Sequence, residues 1–426
     1  MNTEIQDARL HHYLRNVIRS LSPAEQIRLK NIKLCGTRAI IQPGAVPAVF
    51  LLRNNRDEAR FFGQVTCKNT WCCPHCSAVR MQKYGKEIAA AIDYMETQNH
   101  HGFMFTFTIP HYRFQSCREV TDMLYQTWQL AFANCFAKRK NPDGSIRWNN
   151  AFNKFMVENE IKHYVRVAEY TWGENGWHPH FHCIFWTHKK HWNKILDYEP
   201  ELLHRWQEAF KTVLANHNKK RRNPYDEKTI AHFHRQLQAA NDIGKPAIYI
   251  SRYKENYPLI VRSSDYIAGW GAEKELTGNK RKEASHSDHY TPYQILNEAA
   301  NGNIDMRELY IEFMLQVTRK PVHHRVNFSK TGIKQLAAKY AQTVQSQEFS
   351  KKKSAEWEVV AWFPSEQWQH LCQLDTESPI LSNILFLASI NRRDLLNEFL
   401  QAFGVKLVKS AHFHAKHIEN IFNNVA

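Results

Sequence analysis

The sequence contains little glycine or proline, 15 residues of each in 426, and no long apolar run. This composition excludes collagen-like and low-complexity proteins. No stretch reaches the 18 or more apolar residues that indicate a membrane-spanning helix, so we expect no membrane partner. Residues 1–20 include Glu4 and Asp7 and have no apolar core, which argues against a signal peptide. We therefore expect a cytoplasmic protein.

The hydrophobic content is sufficient for a folded protein of several domains. Hydrophobic residues make up 43% of the chain and aromatic residues 12%, and 426 residues are enough for two or three domains of ordinary size. Hydrophobic periodicity predicts helices over 1–34, 81–98, 116–138 and 263–276, and strands over 103–110, 164–170 and 178–187. We expect an α+β protein with an N-terminal region (1–98), a central domain (99–304) and a mainly helical C-terminal domain (305–426).

The chain has a large excess of positive charge. It contains 57 Lys and Arg against 41 Asp and Glu, a net charge of +16, and its pI is about 9.3. Basic runs lie at 138–140, 219–222, 280–282 and 351–353. Such an excess favours a polyanionic partner, usually nucleic acid, although a basic surface is also compatible with simple solubility.

Four of the nine cysteines lie within residues 67–76. Cys73-Pro-His-Cys76 is a CxxC pair, and Cys67 precedes it by six residues. Thiolates at this spacing can surround one tetrahedral Zn²⁺ if a fourth ligand is present. The candidates for the fourth ligand are Cys72, within the cluster, His75 and Cys35. A redox CxxC is the alternative, but it requires a thioredoxin-like strand-to-helix unit that the sequence does not indicate. We therefore predict a structural zinc site.

The most informative segment is Trp177-His-Pro-His-Phe-His-Cys-Ile-Phe-Trp186. Because side chains alternate between the faces of a strand, His178, His180 and His182 lie on the same face. Two such imidazoles can bind one divalent cation. A third ligand has to come from a neighbouring strand.

The preceding predicted strand offers Glu169. If the two strands form a hairpin whose turn is centred between Glu174 and Asn175, Glu169 lies opposite His180; a slip of two residues would place it opposite His182. Either register brings one carboxylate to two imidazoles, a set that suits a divalent metal such as Mg²⁺ or Mn²⁺. His178 is a further ligand or a contact to substrate phosphate.

At this point the sequence resembles a known family. The segment Val165–Trp186, VRVAEYTWGENGWHPHFHCIFW, resembles the metal motif of the rolling-circle replication initiators, the Rep proteins of the HUH endonuclease superfamily. In that motif a hydrophobic residue separates two metal-binding histidines, as Phe181 does here. Phe105-Thr-Phe-Thr108 resembles the family's first motif, on a strand beside the metal strand. The resemblance implies an HUH-type central antiparallel sheet flanked by helices.

The family also has a tyrosine nucleophile on a downstream helix. Asp265-Tyr-Ile-Ala-Gly-Trp-Gly-Ala-Glu-Lys274 resembles that motif, with Tyr266 at the nucleophile position. Family members commonly have Lys three residues after the tyrosine, where this chain has Gly269, so Lys274 is the candidate for the supporting cation. Tyr290 and Tyr293 are weaker candidates for the nucleophile, because Pro292 and polar neighbours suggest a loop.

The cysteine cluster resembles an element upstream of the catalytic motifs in one branch of these Rep proteins, with Cys67, Cys73 and Cys76 at the matching positions. The resemblance implies a plasmid replication initiator of the bacterial cytosol that nicks single-stranded origin DNA. Nicking would leave a 5′-phosphotyrosine and a free 3′-OH for extension, with a host helicase and DNA polymerase as partners. Residues 305–426 would then be an accessory domain.

Two other functions fit the same sequence. A transposase of the HUH superfamily would apply the same chemistry to the ends of a mobile element. A zinc-dependent DNA-binding regulator would use the histidine strand only structurally, and it would neither cleave DNA nor respond to Mg²⁺ or Mn²⁺.

Overall fold

The computed structural model describes residues 3–41, 47–132, 139–147, 151–161, 163–191, 194, 199–239, 289–319, 326–329, 332–348 and 357–406. As predicted, the fold is α+β, with antiparallel sheets flanked by helices. The chain divides into two compact units, one formed by Met1–Val79 with Lys351–Ala426 and the other by Arg80–Ser350. The three-domain division at residues 98 and 304 stays a prediction.

Helices and strands of the described residues are numbered here in chain order. The helices are α1 (Thr3–Ser20), α2 (Pro23–Arg28), α3 (Lys30–Lys33), α4 (Pro74–Thr97), α5 (Cys117–Ala131), α6 (Ala151–Glu158), α7 (Glu199–Lys220), α8 (Glu227–Ala239), α9 (Pro292–Ala300), α10 (Ile304–Arg319), α11 (Ile333–Glu348), α12 (Ser365–Leu374), α13 (Ile380–Ser389) and α14 (Arg393–Ala402). The strands are β1 (Ala48–Asn54), β2 (Ala59–Phe62), β3 (His100–Phe107), β4 (Arg139–Lys140), β5 (Ile146–Arg147), β6 (His163–Gly173), β7 (Gly176–His188), β8 (Asn327–Phe328) and β9 (Trp357–Pro364).

The sheet of the first unit has the strand order β2-β1-β9, and both pairings are antiparallel. Alternate residues of β1 point to opposite faces of this sheet. Val49 and Leu51 join a large core with Phe363 and Trp368, whereas Phe50 belongs to a smaller cluster on the other face. The C-terminal region is helical, as expected, but it also supplies β9, so the segment at 357–364 is a strand.

A buried ion pair ties α1 to the C-terminal helices of the same unit. The guanidinium of Arg15 pairs with the carboxylate of Asp375, and both side chains are buried. Asp375 Oδ1 also accepts a hydrogen bond from the backbone N–H of Leu381 at 2.8 Å. Because a buried charge without its partner is costly, loss of either side chain would destabilise this junction.

The second unit is built on a sheet of order β3-β7-β6-β8. β6 and β7 form the predicted hairpin, and β3 pairs with β7 on its other side. One face of this sheet is covered by helices: Phe181 contacts Tyr125 of α5 at 4.8 Å between ring centroids, and Trp177 stacks on Phe313 of α10 at 5.7 Å. The histidines of β7, which alternate with these residues, therefore lie on the opposite face.

Arg166 of β6 is buried on the helix-covered face. Its guanidinium lies 4.5 Å from the centroid of the Phe181 ring, 4.7 Å from that of Trp128 and 5.1 Å from that of Tyr125. Aromatic faces attract a desolvated guanidinium, so this contact joins β6 to α5.

The chain from Pro292 onward forms a helix rather than the expected loop. The side chain of Thr291 accepts a hydrogen bond from the backbone of Gln294, and Pro292 occupies the first turn of α9. Proline is well tolerated there, because its missing N–H is not needed for an intrahelical bond. The helix predicted at 263–276, including Tyr266 and Lys274, lies outside the described residues.

In the part of the chain that the structure describes, no helix has both the length and the apolar character needed to cross a bilayer.

Glu119 joins α5 to the C-terminal end of α7. Ser116 caps α5 by accepting a hydrogen bond from the backbone N–H of Glu119. The Glu119 carboxylate accepts hydrogen bonds from Arg221 and the hydroxyl of Tyr225, and it lies 3.1 Å from His217 Nε2. Burial alone would raise the pKa of Glu119, but the hydrogen bonds from His217 and Tyr225 and the charge of Arg221 lower it to about 2.

This network predicts a pH-dependent contribution to stability. Because the pKa of Glu119 is lower in the folded protein, its contribution is complete above the ordinary pKa of a glutamate and is lost as the pH falls towards 2. Glu119→Gln should lower the free energy of unfolding by about 1–3 kcal/mol at pH 7, and by progressively less below about pH 4.5. Urea unfolding at several pH values measures this difference.

The matched control is Glu201→Gln, at an exposed position on α7. It should change the free energy of unfolding by less than about 0.5 kcal/mol. An equal loss for Glu119→Gln at pH 3 and pH 7 would contradict the ionic explanation.

Candidate metal centres

The β6–β7 hairpin sets the register of the first candidate site. Glu169 lies directly opposite His180, and Gly173 pairs with Gly176 around the two-residue turn. Gly176 has a φ of +87°, and a Cβ atom there would lie 2.8 Å from the Cα atom of Arg113. Glycine is therefore required at this turn. The register is the one that the turn centre predicts, without the slip of two residues.

The hairpin brings one carboxylate to two imidazoles. Glu169 Oε2 lies 3.0 Å from His180 Nε2 and 2.5 Å from His182 Nε2. Glu169 and His182 are buried, and His180 is partly buried. The three side chains form a group that can hold a metal ion. Burial opposes the charge of Glu169, but the positive potential and hydrogen bonds of His180 and His182 keep its pKa well below its usual value.

Neighbouring groups orient both imidazoles. His180 Nδ1 lies 3.3 Å from the carbonyl oxygen of His178, which can only accept. If Nε2 binds a metal ion, His180 therefore carries its proton on Nδ1 and donates it to this carbonyl group. His182 Nδ1 is held by the hydroxyl of Thr106 on β3 at 3.0 Å. Such outer partners fix the tautomer and the ring orientation of metal-binding histidines.

His178 lies beside this group and not within it. Its Nε2 is 2.7 Å from the hydroxyl of Thr108, and its ring stacks on His111, with centroids 4.7 Å apart and planes 13° apart. Burial, together with the charge of His180, lowers the pKa of His178 well below its usual value. A neutral His178 in this position can contact a substrate next to the metal.

His111 and Thr106 are site residues that the sequence motifs alone do not identify. His111 follows β3 and Pro110, where sequence pattern alone indicates only the end of a strand. Thr106 lies within the motif Phe105–Thr108, and its place opposite His182 follows from the pairing of β3 with β7. Alternation along the predicted strand places both threonines of this motif on one face, opposite its two phenylalanines.

The second candidate site lies in the first unit, and its thiols come from Cys35, Cys67, Cys73 and Cys76. Cys76 Sγ lies 3.4 Å from Cys35 Sγ and 3.5 Å from Cys67 Sγ, and Cys73 Sγ lies 3.6 Å from Cys35 Sγ. Four sulfurs at 2.3 Å from one zinc ion are about 3.8 Å apart, whereas disulfide sulfurs are about 2 Å apart. The geometry therefore fits a tetrahedral cation.

Local backbone groups favour thiolates at this cluster. Cys73 directly precedes α4, and Cys76 lies in its first turn, where the positive end of the helix dipole favours negative charge. The backbone N–H groups of Cys67 and Asn69 donate to sulfur atoms. Burial raises the pKa of the Cys73 thiol well above its usual value, and a bound cation would offset this by stabilising the thiolate form.

Cys72 lies outside the cluster, and Cys35 takes the fourth position. Asn69 Oδ1 accepts hydrogen bonds from the backbone N–H groups of Trp71 and Cys72, both at 3.0 Å, and the Cys72 thiol donates to the same oxygen at 3.2 Å. This Asn-centred turn directs Cys72 away from the other thiols. His75 is also outside the group of four.

Tyr290 lies on the wrong side of the sheet for the metal group. Its backbone forms two hydrogen bonds with Trp172, of 2.9 and 2.7 Å, and the two rings have centroids 6.2 Å apart. Trp172 is three residues from Glu169 on β6, so it faces the opposite side. Tyr293 lies on α9, and the location of Tyr266 and Lys274 stays a prediction.

The cysteine cluster predicts that zinc binding depends on Cys35 and not on Cys72. We expect one zinc ion per chain in the wild type and in Cys72→Ser. Loss of an outer-sphere partner weakens metal binding roughly 10–100-fold, and loss of a direct ligand costs at least as much. Cys35→Ser should therefore weaken zinc binding by at least this factor. Zinc released to a chromophoric chelator measures the content, and a zinc-free Cys72→Ser would contradict this ligand set.

The carboxylate–imidazole group predicts a site for a divalent cation. Titration of the zinc-loaded protein with MnCl₂ in a calorimeter should show Mn²⁺ binding that His182→Ala weakens by more than about tenfold. The matched control, His178→Ala, should change the affinity by less than about threefold, because its Nε2 faces Thr108. Equal losses in both variants would make His178 a ligand.

Comparison with known proteins gives one partial match. The sequence is similar to a curated protein named "Protein rep" from Streptomyces lividans, with 28% identity over 138 residues, covering 29% of this chain. The matched part is also 29% of that protein, so the chain spans less than a third of the length of this relative. No protein-family model matches the sequence, and no solved structure matches it.

Proposed function

We propose that this protein is a plasmid replication initiator that nicks one strand of its origin DNA, with Tyr266 as the nucleophile. The observation that carries the proposal is the group of Glu169, His180 and His182 on adjacent antiparallel strands, with Glu169 Oε2 within 3.0 Å of both imidazoles. The name of the Streptomyces relative, "Protein rep", is consistent with a replication protein. The basic composition of the chain fits a DNA partner.

The chemistry follows from the residues. A phenol with a pKa near 10 is a weak nucleophile at neutral pH. When bound, a divalent cation supplies positive charge at a non-bridging phosphate oxygen and so stabilises the transition state. The Oη atom of Tyr266 loses its proton and bonds to phosphorus, the P–O3′ bond breaks, and the departing 3′ oxygen takes up a proton. The products are a 5′-phosphotyrosine and a free 3′-OH.

The surrounding residues prepare the site before DNA binds. Thr106 and the carbonyl group of His178 hold the imidazoles of His182 and His180 with their Nε2 atoms towards Glu169. Neutral His178 and Thr108 border this group and offer hydrogen bonds to phosphate oxygens. Lys274 is the proposed supporting cation.

In this proposal the free 3′-OH primes rolling-circle synthesis by a host DNA polymerase, with a host helicase separating the strands in the bacterial cytosol. A transposase of the HUH superfamily would perform the same transesterification at other DNA ends. The zinc-dependent regulator predicts no cleavage, and it leaves the orientation of both imidazoles towards one carboxylate without a role.

The proposal predicts a covalent intermediate that depends on Tyr266. With labelled single-stranded origin DNA and Mn²⁺, the wild type should form an SDS-stable protein–DNA adduct. Tyr266→Phe lacks the attacking oxygen and should form less than about 1% of the wild-type adduct, because loss of a nucleophile costs several orders of magnitude in rate. Denaturing gel electrophoresis measures the adduct.

Tyr290→Phe is the matched control, since the ring of Tyr290 packs against Trp172 on the other side of the sheet, and it should form adduct at the wild-type level. An adduct that persists in Tyr266→Phe would assign the nucleophile to another residue. Absence of cleavage by the wild type on every candidate origin would favour the regulator.

A further inference from the structure

The segment between β3 and α5 leads away from the metal group and carries adjacent aromatic residues. At its start, His111 stacks on His178 at 4.7 Å. Tyr112, Arg113 and Phe114 follow directly. Phe114 is three residues from His111, at most about 11 Å along the chain. Phe114 is therefore a short span of chain away from His111, which contacts His178 beside the metal group.

Phe114 is an exposed aromatic residue in an ordered aromatic cluster. Its side chain is 61% exposed, yet its ring stacks on Tyr112 with centroids 5.3 Å and planes 10° apart. Tyr112 packs in turn against Phe233 at 4.8 Å, and Phe114 also contacts Tyr225 at 5.8 Å. Single exposed apolar side chains are common, but a parallel pair that is supported from below presents a flat aromatic surface.

Hydrogen bonds hold this surface in place. Gln115 Oε1 accepts from the backbone N–H of Tyr112 at 2.8 Å, and the Gln115 side chain donates to the hydroxyl of Tyr225 at 3.0 Å. The hairpin turn at Gly176 packs directly against the backbone of Arg113. Binding at the aromatic surface would therefore cost little conformational entropy.

The charge of the same segments favours an anionic partner. Arg113 and Arg118 are exposed on either side of Phe114 in sequence, and the exposed cations Lys219, Lys220 and Arg222 precede Tyr225. The exposed acidic residues nearby in sequence are Asp226 and Glu227, and the Asp226 side chain accepts a hydrogen bond from the backbone N–H of Thr229 in the first turn of α8. The excess of cations complements a phosphate backbone.

We propose that Phe114 and Tyr112 form a stacking platform for unpaired bases of the substrate DNA strand. A flat ring pair among cations matches single-stranded DNA, whose bases expose their faces while its phosphates contact Arg113 and Arg118. Duplex DNA fits less well, because its base faces are already stacked on one another. A basic protein partner is disfavoured because the surface is itself positively charged. The inference rests on the proposed function, because it assigns the strand held at the platform as the one that reaches Glu169, His180 and His182.

The test is a binding measurement that does not depend on cleavage. Fluorescence anisotropy of labelled oligo(dT) of about 20 nucleotides is followed with the full-length, zinc-loaded protein and no added divalent cation. Phe114→Ala should raise the Kd about five- to 150-fold, which corresponds to the ~1–3 kcal/mol of one base–aromatic stack. Phe114→Trp should retain the wild-type Kd.

Two controls separate stacking from other effects. Phe386→Ala removes another exposed phenylalanine, 50% exposed, in the other compact unit, and it should leave the Kd unchanged. An abasic oligonucleotide of equal length keeps the phosphates but lacks the bases, so the wild type and Phe114→Ala should bind it equally. The wild type by itself should also bind oligo(dT) with a lower Kd than abasic DNA of the same length.

An unchanged Kd for Phe114→Ala on oligo(dT), or an equal loss on abasic DNA, would overturn the stacking platform and leave this surface to another partner. Failure of the proposed function is a separate result. In that case Phe114-dependent binding persists, but no protein–DNA adduct forms with Mn²⁺.

Discussion

The antiparallel pairing of β6 with β7 is the constraint on which the candidate catalytic site depends. It places Glu169 opposite His180, and alternation along β7 puts His182 on the same face. A slip of one residue would move the histidines to the face that α5 and α10 cover. The short turn, with a glycine that packs against the 112–113 backbone, prevents such a slip and also fixes the segment that carries Phe114.

The two faces of this sheet have different roles: one packs against helices and the other carries the ligand group. On one face the aromatic residues of β7 pack against α5 and α10, and the buried guanidinium of Arg166 adds an electrostatic contact with three rings. This packing makes the strands rigid. On the other face Thr106 and the carbonyl group of His178 orient the imidazoles of the ligand group. A rigid sheet can thus hold a carboxylate and two imidazoles close together without a metal-binding loop.

Glu119 contributes both to the stability of the fold and to the position of the proposed DNA-binding surface. Its carboxylate holds Arg221 and Tyr225, and Tyr225 supports Phe114 from one side. The same carboxylate anchors the start of α5, which follows the aromatic segment. One partly buried carboxylate therefore joins the packing of two helices to the position of the exposed ring. In the other compact unit, the four thiols have a comparable role, since they join the segment after α3 to the start of α4.

Local patterns in the sequence were sufficient to predict the hairpin, its register, the carboxylate–imidazole group and three of the four clustered thiols. Alternation, turn position and CxxC spacing act within about twenty residues, so neighbouring residues alone decide them. Tertiary structure decided the rest. Cys35 joins Cys67 across 32 residues, β9 pairs with β1 from the far end of the chain, and His111 reaches His178 only because β3 lies beside β7. Such contacts depend on how distant segments pack, and no local periodicity encodes that packing.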